Sequence, residues 1–322
     1  MEGIILTLLS AASFGANAIV VRRGLFHMSA GQGLYITVLL GIPLFAVAAL
    51  LTGELAQIEL LSTVDFLLLA GAGVIHFIIG RYCTFRATDA IGANRTMPIQ
   101  ATSGFYSVII AVIFLSEKLN VAIGIGIVLV MLGPALIAEG SRRENKALKV
   151  SSESVAAATT SDKPMSSEPP PTRLVEGYVF GLLSAVAYGT SPVFIRAALN
   201  EFNGLGVLGG LVSYVAAGLV LLVGLVFMRD RPSRVASVVR EGAKSGWFVA
   251  ATVGVFFAQF FRYLALAVAP VSLVVPLTHT RPVFTVMFSF LFNRHLESFS
   301  PSTLAGIVLA MAGAVAIGIG SL

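Results

Sequence analysis

Ten apolar runs, each long enough to cross a bilayer, constrain this chain more than any other feature of its sequence. A spanning helix needs about 20 apolar residues, and clusters of charged or turn residues separate the runs. His76 and Arg81 interrupt the third run, and Gln259 and Arg262 interrupt the eighth. Polar groups are costly in hydrocarbon unless they face the protein interior, so both runs are still expected to span. The predicted spans are 3–21, 31–52, 66–85, 92–115, 121–139, 176–197, 205–228, 246–268, 271–292 and 302–321.

The composition agrees with a membrane solvent. Hydrophobic residues make up 57% of the 322 positions and charged residues 11%, against about 25% charged in a soluble domain. The net charge of +5 is therefore attributed to membrane topology rather than to nucleic-acid binding. The single cysteine, Cys83, excludes a disulfide within the chain and a multi-cysteine metal site. We predict an all-α integral membrane protein with ten transmembrane helices.

The two halves of the chain repeat each other. Residues 2–25 align without gaps to residues 176–199, with nine identities in 24 positions, and 126–133 match 306–313. Between the halves, 141–175 is rich in Ser, Pro and mixed charge, a composition that favours a disordered linker. We therefore predict a first five-helix repeat over 1–140 and a second over 176–322.

Five spans per repeat predict that the second half enters the membrane from the opposite side, which makes the architecture an inverted repeat. Basic residues on cytoplasmic loops give an independent indication of orientation. The side away from the linker receives Lys118 and Arg196, and Arg81, Arg86, Arg95, Arg262 and Arg281 are left out as intramembrane or ambiguous. The linker is therefore predicted to be cytoplasmic and both termini to lie outside. The linker side receives the other fourteen Lys and Arg: Arg22, Arg23, Arg142, Arg143, Lys146, Lys149, Lys163, Arg173, Arg229, Arg231, Arg234, Arg240, Lys244 and Arg294.

The repeat resembles a known transporter architecture. Ser10-Ala11 and Gly15 are matched by Ser184-Ala185 and Gly189, and Leu115-Ser116-Glu117-Lys118-Leu119 forms a short acidic turn before the fifth span. In these features the sequence is similar to the ten-span branch of the drug/metabolite transporter (DMT) superfamily, built from two EamA-type repeats. The resemblance implies a carrier that moves small metabolites or drugs through a cavity between the repeats, with export as the direction.

Polar residues at mid-depth are the candidate binding groups. His76 lies in the third span, and His279 and Arg281 lie in the ninth between Pro276 and Pro282. Each proline removes a helix hydrogen bond, which inside a membrane is tolerated where the backbone lines a cavity or is satisfied by neighbours. A broken helix that carries His and Arg is thus a plausible binding element. The alternative is a structural Arg281 satisfied by carbonyls of a neighbouring helix.

Further candidates come from equivalent positions in the two halves. Pro98 matches Pro276, and Gln100, which follows Pro98, is expected to line the cavity. Arg81-Tyr82 and Arg262-Tyr263 share a context, so each arginine either closes an end of the cavity or anchors an interface, and Arg95 either gates an end or extends to the membrane surface. The predicted substrate-binding residues are Arg281, His279, His76, Gln100, Asn17, Tyr188, Ser191 and Gln259, with Arg81, Arg262 and Arg95 as gating or cavity-end residues.

The signs of the charges indicate the substrate. Every Asp and Glu lies in a loop, in the linker or near a span end, so the membrane interior offers Arg and His without a carboxylate. We therefore expect an anionic or zwitterionic substrate, such as an amino acid or other organic acid, paired with Arg281. His76 and His279 are candidates for proton coupling because histidine titrates near neutral pH. A broad-specificity drug efflux carrier is the alternative within transport.

An enzyme acting on lipid-linked substrates is the alternative from another class. It would need clustered acids or a nucleophile beside a base, and the sequence shows neither, nor two histidines at helical i, i+4 spacing. The cytoplasmic segments also lack a glycine-rich phosphate loop. We therefore predict a secondary transporter with no catalytic residue, no metal and no cofactor. Its expected partners are its substrate and membrane lipid, with protons as candidate coupling ions.

Overall fold

A computed structural model describes residues 1–24, 30–159, 173–202, 204–227, 246–292 and 301–321. In these ranges every regular element is a helix, and ten spans are long and apolar enough to cross a membrane. The predicted all-α fold with ten spans is confirmed. The spans are α1 (Glu2–Gly24), α2 (Ala30–Leu51), α3 (Thr63–Ile91), α4 (Ala93–Leu115), α5 (Val121–Thr159), α6 (Leu174–Leu199), α7 (Gly206–Phe227), α8 (Gly246–Val268), α9 (Val271–Leu291) and α10 (Pro301–Gly320).

Equivalent helices of the two halves run in opposite directions. The start of α1 lies against the end of α8, where a Cβ on Gly3 would overlap Ala269. The start of α6 lies against the end of α3, where a Cβ on Gly177 would overlap Ile91. We call the end of the bundle with the start of α1 the terminal end, and the end with the start of α6 the linker end. The same contact at opposite ends is the signature of an inverted repeat.

The first helix of each half crosses the fourth helix of the other half at a glycine. A Cβ on Gly15 of α1 would lie 2.7 Å from Cβ of Phe284 in α9. A Cβ on Gly189 of α6 would lie 2.8 Å from the carbonyl oxygen of Ser103 in α4. These crossings hold the two halves together around the centre of the bundle.

A second pair of glycine contacts joins α5 to α10. A Cβ on Gly126 would lie 2.7 Å from the carbonyl oxygen of Gly313, and one on Gly133 would lie 2.6 Å from that of Gly306. Small residues allow helix backbones to approach this closely in membranes. The glycines of α5 and α10 thus make a close contact between the last helices of the two halves.

Two spans are interrupted near mid-depth. In α3, a π-helical segment, Val74–Gly80, lies between two α-helical parts, and it contains His76. In α9, α-helix stops at Thr278 and resumes at Arg281. Pro282 has no N–H to donate to the carbonyl oxygen of Thr278, and its ring crowds that carbonyl. A continuous helix is therefore disfavoured here, which explains the break predicted from Pro276 and Pro282. The equivalent helix α4 carries Gly104 at the position of Pro282 and stays continuous.

The segment after the fifth span differs from the prediction of a disordered linker over 141–175. Helix α5 continues to Thr159, and α6 begins at Leu174. Residues such as Glu144, Lys146 and Ala147 are strong helix formers, which explains the longer helix. Residues 160–172 lie outside the described part of the chain.

Contacts between the halves occur at both ends of the bundle. At the linker end, Arg86 of α3 pairs with Glu176 of α6. At the terminal end, Glu117 accepts hydrogen bonds from the backbone N–H groups of Val271 (2.7 Å) and Ser272 (2.9 Å), at the start of α9. Glu54 accepts one from Leu208 N–H at 2.8 Å, at the start of α7. These carboxylates satisfy N–H groups that a helix start leaves unpaired.

Candidate functional site

A cavity of about 250 Å³ lies at mid-depth between the halves. Three helices of each half line it: α1, α3 and α4 from the first, and α6, α8 and α9 from the second. The glycine crossings of α1 and α6 and the interruptions of α3 and α9 all lie beside it. The lining residues are Phe14, His76, Arg81, Thr84, Gln100, Ser103, Tyr188, Pro192, Gln259, Arg262, Val275, Thr278, His279 and Arg281.

Equivalent positions of the two repeats meet around this cavity. Each of four pairs contributes one residue from each half, so the cavity follows the approximate two-fold symmetry of the fold. The residue types differ within three of the pairs, which makes the chemistry of the two sides unequal. The pairs are Phe14 with Tyr188, Arg81 with Arg262, Gln100 with Thr278, and Ser103 with Arg281.

Arg262 forms one wall of the cavity and is 7% exposed. Its Nη1 lies 3.5 Å from Nε2 of His76 and donates a hydrogen bond of 3.4 Å to Oε1 of Gln259. The ring of His76 also meets that of Tyr188 edge to face, with centroids 5.0 Å apart. Nδ1 of His76 is buried and has no hydrogen-bond partner among the described residues. A buried arginine thus faces an imidazole and an amide rather than an acid.

Arg81, the repeat equivalent of Arg262, begins the last part of α3. Its Nη1 donates a hydrogen bond of 3.1 Å to Oγ1 of Thr37 in α2. The guanidinium also lies 5.6 Å from the centroid of the Phe77 ring, within the range of a cation–π contact. Arg81 is therefore held by neutral groups as well.

Arg281 lies directly after the break in α9. It is exposed to the cavity, and its guanidinium donates no hydrogen bond to any described residue. His279 lies in the break and packs towards α4, where a Cβ on Gly104 would lie 2.9 Å from its Nε2. The break thus places one free cation and one imidazole in the cavity wall.

Gln100 belongs to a hydrogen-bonded group of hydroxyls. Its Nε2 donates to Oγ1 of Thr84 at 2.5 Å and to Oγ of Ser184 at 3.5 Å. Thr84 donates to the carbonyl oxygen of Gly80 at 2.8 Å, and Ser184 to that of Gly181 at 2.7 Å. These bonds hold the amide of Gln100 in the cavity wall.

The cavity is basic and has no acid in its lining. Arg81, Arg262 and Arg281 line it without a carboxylate, and the ion pairs of the described residues lie elsewhere, at the linker end. Charges within a membrane are costly unless they are paired or hydrated. Three arginines around one cavity therefore create a site that favours an anion.

Eight of the eleven predicted site residues line the cavity. Asn17 instead packs against α8, where a Cβ on Gly254 would lie 2.7 Å from its Oδ1. Ser191 is fully buried, and its hydroxyl has no partner among the described residues. Arg95 is exposed near the start of α4. The symmetric polar pair Asn17 and Ser191 thus lies behind the cavity wall, and Arg95 outside it. The eight are Arg281, His279, His76, Gln100, Tyr188, Gln259, Arg81 and Arg262.

The sequence prediction left six lining residues out. Phe14 and Val275 are apolar and carry no chemical signal. Thr84 and Thr278 each donate to a backbone carbonyl four residues earlier, which is what an isolated threonine in any membrane helix does. Repeat symmetry would have found Phe14, Thr278 and Ser103, since each is equivalent to a predicted residue. The sixth is Pro192.

Within the described residues no group of three His, Cys, Asp or Glu side chains is placed to hold a metal ion.

A family model gives the decisive comparison. The EamA-like transporter family matches residues 1–138 and 175–319, one match in each half.

The comparison with solved structures concerns the fold. One solved crystal structure aligns with a TM-score of 0.65, covering 98% of this chain and 96% of its own, at 13% sequence identity. At that identity the likeness shows the shared fold alone. No curated protein matches the sequence significantly. The two family matches cover both repeats and all ten spans, and the chain accordingly belongs to the EamA-like transporter family of the DMT superfamily.

Proposed function

We propose that this transporter is a secondary carrier of a small anionic or zwitterionic metabolite, such as an amino acid or other organic acid. The observation that carries the proposal is the cavity lining, in which Arg81, Arg262 and Arg281 are present and no carboxylate is. Arg281 has a free guanidinium that can hold a carboxylate or phosphate with two parallel hydrogen bonds. An efflux carrier of hydrophobic cations would need an acid here, so the lining speaks against that alternative.

The size of the cavity supports a small substrate. Its volume of about 250 Å³ is below the roughly 300–1,000 Å³ of sites that hold drug-sized ligands. A metabolite of a few carbon atoms suits this space better than a drug.

Transport by alternating access fits the contacts between the halves. The ion pair of Arg86 with Glu176 joins the halves at the linker end. At the terminal end, Glu117 of the first half binds the start of α9 in the second half. Opening either end separates one set of contacts while the other set remains. Rocking of inverted halves around a central site gives access from each side in turn.

His76 and His279 are proposed to couple transport to protons. Both line the cavity beside arginines, and histidine is the side chain whose charge changes near neutral pH. A bound anion offsets that charge, so substrate and proton are expected to bind together. Uptake that stays independent of a pH gradient in the parent, or unchanged when both residues become Gln, would exclude this role.

We also propose a cytoplasmic linker, external termini and export as the direction, in a multi-pass protein of the cell membrane. The orientation rests on the bias of Lys and Arg towards the linker side of the membrane. A reporter fused after Leu322 should be active outside the cytoplasm. Activity in the cytoplasm alone would reverse the orientation.

The main experiment measures uptake of radiolabelled organic anions, amino acids and a lipophilic cation into proteoliposomes, with and without a pH gradient. Arg281→Gln should reduce uptake of the preferred anion at least tenfold, because it removes the charged partner of the substrate. Arg95→Gln is the matched control, since Arg95 is exposed and lies outside the cavity lining. The proposal is wrong if Arg281→Gln transports that anion as well as the parent does.

A further inference from the structure

Gln100 has a fixed hydrogen-bonding polarity that bears on what the substrate must look like. Its Nε2 lies 2.5 Å from Oγ1 of Thr84 and 3.5 Å from Oγ of Ser184. Each hydroxyl has one hydrogen. Ser184 gives its hydrogen to the carbonyl oxygen of Gly181. Thr84 has two acceptors, the carbonyl oxygen of Gly80 at 2.8 Å and Oη of Tyr188 at 3.4 Å, and a bond to either one uses its hydrogen. Both hydroxyl oxygens can therefore only accept from Gln100.

This arrangement decides which end of the amide faces the cavity. If the amide of Gln100 were turned around, its Oε1 would meet two oxygens that have no hydrogen left to give. The nitrogen must therefore point to Thr84 and Ser184. Oε1 has no partner among the described residues, and the side chain lines the cavity. Gln100 thus presents an acceptor and no donor to a bound molecule.

The surrounding charge decides what kind of donor suits that acceptor. Arg81, Arg262 and Arg281 line the same cavity without an acid, so an ammonium group beside Gln100 would be repelled by the arginines. A hydroxyl donates the same hydrogen bond without a charge. An anion with a hydroxyl group satisfies both the arginines and Gln100.

We propose that the substrate is a hydroxyl-bearing anion, a hydroxycarboxylate or hydroxyalkyl phosphate, and that Gln100 selects it through its Oε1. Thr84 is the positioning residue, because it orients the amide and does not need to touch the substrate. This inference rests on the proposed function and narrows it, since an unsubstituted acid lacks the donor and an amino acid carries the repelled ammonium.

The experiment uses the full-length protein in proteoliposomes and sets of probes that differ at one substituent. The first set is lactate, propionate and alanine, and the second is malate, succinate and aspartate. 2-Hydroxyethyl phosphate, ethyl phosphate and 2-aminoethyl phosphate form the third set and distinguish a phosphate from a carboxylate. In at least one set, the hydroxyl member should be transported about threefold to tenfold better than the unsubstituted member, the worth of one neutral hydrogen bond. It should also exceed the amino member.

Two variants test the role of the amide. Gln100→Met keeps the length of the side chain and removes its acceptor, so the ratio of hydroxyl-member uptake to unsubstituted-member uptake should fall to about one, whatever the change in absolute uptake. Thr84→Val should weaken the preference because it frees the amide to turn. Thr102→Val is the matched control, since Thr102 lies on the same helix as Gln100 and is exposed. Size-exclusion profiles and thermal unfolding check that each variant is folded.

The outcomes separate this inference from the broader proposal. Equal or better transport of the unsubstituted or the amino member would overturn the selection of a hydroxyl and leave an anion carrier. The same is true if Gln100→Met lowers uptake of all members of a set alike. If the parent transports none of the anions, both proposals fall.

Discussion

Removal of the Glu117 carboxylate should destabilise the protein by about 3 kcal/mol. Glu117 follows α4 and accepts from the N–H groups of Val271 and Ser272, two residues that are 0% and 2% exposed. A buried N–H left without a partner costs about 1–3 kcal/mol. Glu117→Ala leaves two such groups, so it should lower the free energy of unfolding by about 2–6 kcal/mol if both stay dry. Glu117 itself is only partly buried, so water can reach part of the site, which favours the lower half of that range.

The assay is denaturant unfolding of the purified protein in mixed micelles, followed by circular dichroism. Glu117→Gln keeps one acceptor oxygen and loses the charge, so it should cost about half as much as Glu117→Ala. The control is Lys118→Ala, because Lys118 is the exposed neighbour. If Glu117→Ala changes the free energy of unfolding by less than about 0.5 kcal/mol, the contact does not secure the start of α9.

Two further predictions concern stability. Gly133→Ala should lower the free energy of unfolding by about 1–3 kcal/mol through overpacking, since the new Cβ would lie 2.6 Å from the carbonyl oxygen of Gly306. The control is Gly124→Ala, which should be neutral or stabilising because nothing lies within 4 Å of its Cβ. Equal effects of the two substitutions in an unfolding assay would contradict the packing argument. Burial raises the pKa of the Glu54 carboxyl above its ordinary value, so the folded state holds this proton more tightly and the contribution to stability is lost as pH rises from the ordinary pKa through the folded one. Relative to Glu54→Gln, the parent should therefore lose stability as the pH rises above the ordinary pKa of a glutamate. Equal pH dependence of the unfolding free energy in the two proteins would refute the assignment.

Much of the fold was predictable because each span is a local property of about 20 residues. The predicted span 246–268 coincides with α8, Gly246–Val268. The fifth span was predicted to end at 139, and the apolar span does end at Gly140, but its helix continues to Thr159. Hydropathy indicates where the apolar solvent ends, but it does not show where a polar helix stops.

The site was predictable where chemistry is rare in a membrane. Arg281 and His279 stand out because each is costly in lipid. Thr84 does not stand out, since its importance depends on Gln100, which is 16 residues away on another helix. Asn17 was predicted to line the cavity because it is polar and symmetric with Ser191. In the structure Asn17 packs against Gly254 of α8 instead. The side of α1 that faces α8 is set by packing between the two halves, which the sequence of one repeat does not show.

The unequal interruption of α4 and α9 has a consequence for the energetics of transport. In an inverted repeat with identical halves, a two-fold rotation would convert the outward-open conformation into the inward-open one. The two conformations would then have equal free energy and equal populations. Here Gly104 leaves α4 continuous, while Pro282 divides α9. If the protein works by alternating access as proposed, its two open conformations differ in free energy, so the cavity of the empty protein should open to one side of the membrane more often than to the other. Exchanging the two residues is a direct way to move that resting point.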